Sequence, residues 1–171
     1  MPGSTGQRAA GPHHVAGSPH DIGIEALDAP QWRQKQPPST PPALFSGDVT
    51  TAADLTLLRS ALHRQVLRRG LPPGADFDDV ERLLLTFEEL TSNGFRHGSA
   101  PVHVTVAQDD EGWLVDVSDS DTGRVPTPAL DRDPAQGGLG LFLVARLSAG
   151  CGWWTAVGRK HVWASVRPSA A

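Results

Sequence analysis

The 171-residue chain has a single cysteine, Cys151, so no disulfide forms within it, and a lone thiol fits a reducing compartment. Cys151 reads as a small core or loop residue rather than as a reactive thiol. Basic charge is scarce too: 15 Lys and Arg stand against 19 Asp and Glu, a net charge of −4, and no long basic run occurs. Nucleic acid and anionic membranes are therefore poor first guesses for a partner. No stretch approaches the roughly 18 apolar residues that a membrane span requires. The opening MPGSTGQRAAGPHHVAGSPH lacks the apolar core of a signal peptide, so a cytoplasmic location is the expectation. A GxxxxGK[ST] phosphate loop is absent as well.

What is present is unevenly spread. Of the 15 prolines, 8 fall in residues 1–42, a stretch rich in Pro, Gly, Ser and Ala with no sustained period. This composition predicts a disordered extension, dispensable for ligand binding, because its apolar surface is too small to offset the entropy of ordering it. His13, His14 and His20 lack convergent partners there and read as solvated tail residues. The cluster DIGIEAL, with Trp32 beyond it, is the one part suited to docking. A single ordered domain is expected over residues 43–171.

Within that domain, ALFS (43–46) reads as a short edge strand. Thr51 with Asp54 forms a helix start, and Leu55, Leu58, Leu62 and Val66 recur at helical spacing until Gly70 and the pair Pro72–Pro73. A second helix is predicted from about residue 78 to 96, with Val80, Leu83, Leu84, Phe87 and Leu90 on one stripe. The period then drops to two in PVHVTVA and WLVDVS, with QDDEG as the hairpin between them. An irregular segment, 119–137, precedes a helix from about residue 139 to 149. The strands GWWTAV and HVWASVR close the chain around a turn at 158–160. This order predicts an α+β fold: a two-layer sandwich of a mainly antiparallel mixed sheet with helices on one face.

Three places carry possible chemistry. In EELTSNGFRHG (88–98), Glu89, Asn93 and His97 follow at four-residue intervals and fan over roughly 80° of one helix face. Taken alone, this fits either the wet side of an amphipathic helix or a magnesium and phosphate site. Asn93 and Gly94 are poor interior helix residues, and an Asn amide oxygen is a good ligand for a hard cation. Asp119 closes the strand VDVSD and opens SDTGRVP. It reads either as a turn residue or as an acceptor for an exocyclic amine, with Gly123 leaving room for a flat ring. The third is QGGLGLFLVARL (136–147), where Gly137, Gly138 and Gly140 precede an apolar helix. That arrangement frees backbone N–H groups to hold phosphate without a lysine, or simply caps a helix.

In their order and spacing these motifs resemble those of the GHKL, or Bergerat-fold, ATPases, a superfamily that includes gyrase, heat-shock chaperones, histidine kinases and mismatch-repair ATPases. The N box of that family matches Glu89 and Asn93, its first glycine box resembles DSDTG (119–123), and its second resembles GGLGL (137–141). Asp121 departs from the pattern, standing where a glycine is usual. Over about residues 43–168 the closest likeness is to the anti-sigma-factor serine kinases and their actinobacterial relatives, which share the pattern of Glu89, Asn93, His97 and Gly98 and a short lid. Here the lid carries no cation beyond Arg124 and Arg132. The resemblance implies an ATP-binding regulator, a serine/threonine protein kinase whose partners are a sigma factor and an antagonist protein, with a homodimer among the possible assemblies. In such a protein Asn93 would hold Mg2+, Asp119 would receive the adenine amino group, and the N–H groups of Gly138, Leu139 and Gly140 would cradle the phosphates. Glu89 would deprotonate the attacking hydroxyl, and His97 would face the phosphates or cap the helix. Two rivals stay open: a nucleotide-holding switch without catalysis, and a histidine-kinase catalytic domain. The second is weakened by the Pro-rich character of the residues where a dimerisation helix with a phosphoacceptor His would lie.

Overall fold

The structure, a computed structural model, describes Gly3, residues 32–127 and residues 139–169. His13, His14, His20, DIGIEAL, Arg132, Gly137 and Gly138 lie outside the described residues. The elements are β1 (Ala43–Val49), α1 (Ala52–Arg69), α2 (Phe77–His97), β2 (Val102–Asp109), β3 (Gly112–Asp119), α3 (Leu139–Leu147), β4 (Gly150–Ala156) and β5 (Arg159–Val166). The strands form one sheet in the order β1-β2-β3-β5-β4, each neighbour antiparallel to the next. The helices lie on one face of it, as the α+β pattern predicts.

The two-residue period of the strands explains why. Val104 pairs with Val117 and Val106 with Val115, so their side chains share one face, and Val162, Ala164 and Val166 of β5 continue that face. The stripe of α2 (Val80, Leu83, Leu84, Phe87 and Leu90) closes over it, joined by Leu62 and Val66 of α1 and Leu141 and Val144 of α3. Burying each of these large side chains contributes about 1.5–3 kcal/mol. Cys151 packs at the margin of this core, as a small structural cysteine does. Gly94 is where α2 comes closest to the sheet: a Cβ there would stand 2.9 Å from Val117 Cγ1. That contact answers the oddity of a glycine inside a helix.

Side-chain caps set both long helices. The Asp54 carboxylate accepts from Thr50 Oγ1 at 2.8 Å, Thr50 N at 2.9 Å and Thr51 N at 2.7 Å, and these bonds hold its pKa down at about 2. Before α2, Asp76 accepts from Asp79 N at 3.0 Å while Asp79 accepts from Asp76 N at 3.1 Å, a reciprocal box with aspartate in both places. None of the described helices is long and apolar enough to cross a membrane.

Two expectations shift. The β4–β5 turn is Val157–Gly158, with φ of 49° and 71°, not 158–160. A two-residue hairpin of this kind needs positive φ at both central positions. Arg159 and Lys160 therefore belong to β5. Order also begins before Ala43, since Trp32 is buried in the core and residues 33–35 bond to the free edge of β4, Lys35 N reaching Trp153 O at 2.8 Å.

Candidate nucleotide site

The polar face of α2 is not a solvated face. α3 packs along it, so Thr86 is buried, Glu89 and Asn93 are half-buried, and only His97 at the helix end is exposed. The N-terminal part of this face is occupied by a cluster that sequence reasoning misses. Asp79, fully buried, pairs with Arg82 and accepts from Ser169 N at 3.1 Å and Ser169 Oγ at 3.0 Å. Arg82 also donates to Arg167 O at 2.8 Å and Leu147 O at 3.4 Å. A sequence separation of 90 residues between Asp79 and Ser169 leaves no local signal for it.

One helical turn past Thr86 stands Glu89. Gly140, in the first turn of α3, lies so close that a Cβ there would overlap Glu89 Oε2. A side chain at 140 would push the carboxylate aside, so glycine here keeps the start of α3 and Glu89 in this close approach. Burial pushes the Glu89 carboxyl above its ordinary pKa, while Arg96 acts in the opposite direction and Glu88 adds to the rise. A carboxylate raised toward neutrality is a better proton acceptor at working pH. The side chain of Asn93, the next residue along the face, makes no hydrogen bond to another described residue.

At the far end of α2, Gly98 lies against Asp119: a Cβ on Gly98 would stand 2.6 Å from Asp119 Cγ. Asp119 Oδ1 accepts from Asp121 N at 2.7 Å and Ser99 N at 3.4 Å, and Oδ2 lies 3.3 Å from Lys160 Nζ. Asp119 is 2% exposed and Lys160 4%. A carboxylate offers about four acceptor positions, so three donors leave room for one more. Asp121, in the place where the resembled pattern has glycine, closes the turn by accepting from Gly123 N at 3.3 Å. Arg124 donates to His97 O at 3.2 Å and ties this loop to the helix end. The sequence does not point to Lys160, because Gly158–Lys160 reads as a turn. Its parity with Val162 and Ala164, counted along the strand, is the signal that finds it.

The site therefore has two ends on one helix: Glu89 under Gly140, and Asp119 beside Gly98. Along the axis they are roughly 13 Å apart, nine residues at 1.5 Å each, with Asn93 between them. Leu139 and Gly140 begin the described α3; Gly138 lies outside the described residues. A divalent cation fits the donor set. Among the described residues no group of three His, Cys, Asp or Glu converges, which argues against an all-protein cage. Mg2+ instead takes one or two protein oxygens and leaves the other positions to water and phosphate. A half-buried Asn93 side-chain amide with no hydrogen bond to a described residue would supply such an oxygen.

A two-layer α+β sandwich with an Asn and a Glu on the central helix, an Asp at a strand end and a glycine-led third helix defines the class of ATP-binding domains to which the sequence bears its resemblance. The model of the histidine kinase-like ATPase domain matches residues 49–166. The chain belongs to that family. No curated protein matches it.

Proposed function

We propose that this ATP-binding domain is an anti-sigma-type protein kinase that transfers the γ-phosphoryl group of ATP to a Ser or Thr hydroxyl of an antagonist protein. The observation that carries the reading is the seating of Glu89 under Gly140. A carboxylate placed where the phosphates of a nucleotide would lie repels them, so its retention there makes sense if it acts on the attacking hydroxyl. The linear order of the site agrees: Asp119 receives the adenine amino group beside Gly123, the N–H groups of Gly138, Leu139 and Gly140 hold the phosphates, and His97 stands at the helix end between the two. Mg2+, held through Asn93, supplies neutralisation of the phosphate charge. Glu89 takes the proton as the hydroxyl oxygen bonds to the γ-phosphorus and the bond to the β-phosphate oxygen breaks, releasing ADP. Such chemistry asks for positioning and charge more than for covalent help. A sigma factor is the second partner, released when the antagonist is not phosphorylated.

Radiolabelled ATP incubated with the protein and antagonist proteins of its host tests this. Acid-stable label on Ser or Thr is expected, falling by about 10²–10⁴ in Glu89→Gln, the usual loss for a general base, with ATP affinity kept or improved. Acid-labile label on histidine would favour a histidine kinase. No transfer in the wild type would favour a switch that binds without catalysis, and undiminished transfer in Glu89→Gln would remove Glu89 from the role of base.

A further inference from the structure

We propose that Trp32, a residue of the Pro- and Gly-rich N-terminal stretch, is a positioning residue for nucleotide binding that acts through α3. The proposal rests on the reading of the glycine-led α3 as the phosphate-binding helix. At nine residues, α3 is too short to be stable by itself and takes its place from what it packs against. Leu141 and Val144 point into the core. At the last residue of α3, Arg82 donates to Leu147 O; at its first turn the fastening is Trp32, 6% exposed, whose indole Nε1 donates to Leu141 O at 3.1 Å.

Trp32 is itself anchored to the opposite element. Trp153 N donates to Arg33 O at 3.1 Å, Lys35 N donates to Trp153 O at 2.8 Å, and Gln34 thereby pairs in parallel with the edge of β4. Trp163 Nε1 donates to Lys35 O at 2.8 Å, and Lys35 Nζ stands 5.4 Å from the centre of the Trp163 ring. These contacts fix residues 33–35 to the β4–β5 hairpin without using α3. From that fixed point the Trp32 ring reaches the first turn of α3, one residue from Gly140 and the Glu89 carboxylate. The segment is a brace between hairpin and helix, and its loosening lets Gly140 and its neighbouring N–H groups drift from Glu89. It follows that residues 32–35 are not dispensable for ATP, although the composition around them suggests a free tail.

The test uses the full chain with Trp32→Phe, which keeps an apolar ring and removes the N–H, beside Trp113→Phe. Trp113 is an equally buried tryptophan whose indole donates to Gln108 Oε1 at 3.1 Å. It sits six residues before Asp119 on β3, roughly 20 Å from the site. One hydrogen bond is worth about 1 kcal/mol net, close to a fivefold change. In Trp32→Phe the dissociation constant for Mg-ATP should rise about fivefold, and the α3 amides of the ligand-free protein should exchange about fivefold faster. Trp113→Phe should lower the melting temperature to a similar extent and change neither. Unchanged α3 exchange in Trp32→Phe, or equal effects in both variants, overturns the brace. If the wild type does not bind ATP, the nucleotide reading fails, and the exchange rates still decide on the brace. Should Trp32→Phe not fold, the indole N–H resonance of Trp32 in the wild type decides: it shifts as Mg-ATP saturates the site if the brace exists, and stays in place if it does not.

Discussion

The two halves of α2 use polar residues in opposite ways. In the N-terminal half, Asp79 and Arg82 are consumed: each bonds to the chain end beyond β5, and Arg82 also to Leu147 O. In the C-terminal half, Glu89 lies against the first turn of the same covering helix and Asn93 follows one turn on, and neither side chain hydrogen-bonds to a described residue. Desolvating polar groups without partners costs free energy. A fold that pairs Asp79 and most of Arg82, all but its Nε, and leaves the Glu89 and Asn93 side chains unpaired has a scaffold and a site on a single helix face. Thr86 stands at the border, with its buried hydroxyl unpartnered in the structure, and we have no physical account of it.

The largest effect belongs to the scaffold half. Burial alone would raise the Asp79 pKa, but Arg82, the Asp76 amide and the Ser169 hydroxyl and amide together hold it below the ordinary carboxylate value. Asp79→Asn leaves Arg82 partly buried without its counter-charge, a loss of about 3 kcal/mol, or about 10 °C in melting temperature for a domain of this size. Because the folded pKa is lowered, this stabilisation is present above the unfolded carboxylate pKa and is lost as pH falls through the folded one. The gap between wild type and variant should close in acid, and Mg-ATP affinity measured below the melting range should be unchanged. A variant that melts normally but loses ATP would reverse the assignment of the two halves.

A smaller effect is expected where scaffold and site meet. Lys160→Met leaves Asp119 with its two backbone donors and no counter-ion, costing about 1–3 kcal/mol. Under the proposed function, in which Asp119 receives the adenine, it should also weaken adenine nucleotides more than it weakens inorganic pyrophosphate. Equal weakening of both ligands would place Lys160 in the phosphate region instead.

The smallest effect is in the site half. Burial raises the Glu89 pKa, so the folded protein binds that proton more tightly than the unfolded chain does, and the ionised form costs stability above the folded pKa. Glu89→Gln should therefore melt slightly higher than the wild type at neutral pH, with the advantage fading as pH falls and Glu89 takes up its proton. A lower melting temperature in Glu89→Gln at neutral pH would show that the carboxylate has a structural partner after all.

Much of this is legible in the sequence alone. The period of two in residues 102–117 and the apolar stripe of α2 fix the sandwich, because burial of one face enforces both patterns. The spacing of Glu89, Asn93 and His97 places three groups along one face. The misses have a common cause. Lys160 is missed because Val157, a β-branched residue, takes a positive φ that its own preferences oppose, moving the turn one residue earlier than Gly158–Lys160 suggests. Trp32 sits in a stretch whose composition favours disorder, and its docking depends on β4 and α3, more than a hundred residues away. The covering of the polar face by α3 is likewise a tertiary fact, and it turns an apparently wet face into a desolvated one.

The most direct test of the central claim, that the C-terminal half of α2 is held for a nucleotide and its metal, is an ATP titration of wild type and Asn93→Ala with Mg2+ and with a chelator. Asn93→Ala should melt within about a degree of the wild type, as an off-core change of about 0.5 kcal/mol or less does. Its ATP affinity should be the same with and without Mg2+, while the wild type binds more tightly with the metal. Identical dissociation constants for the two proteins under both conditions would contradict the claim.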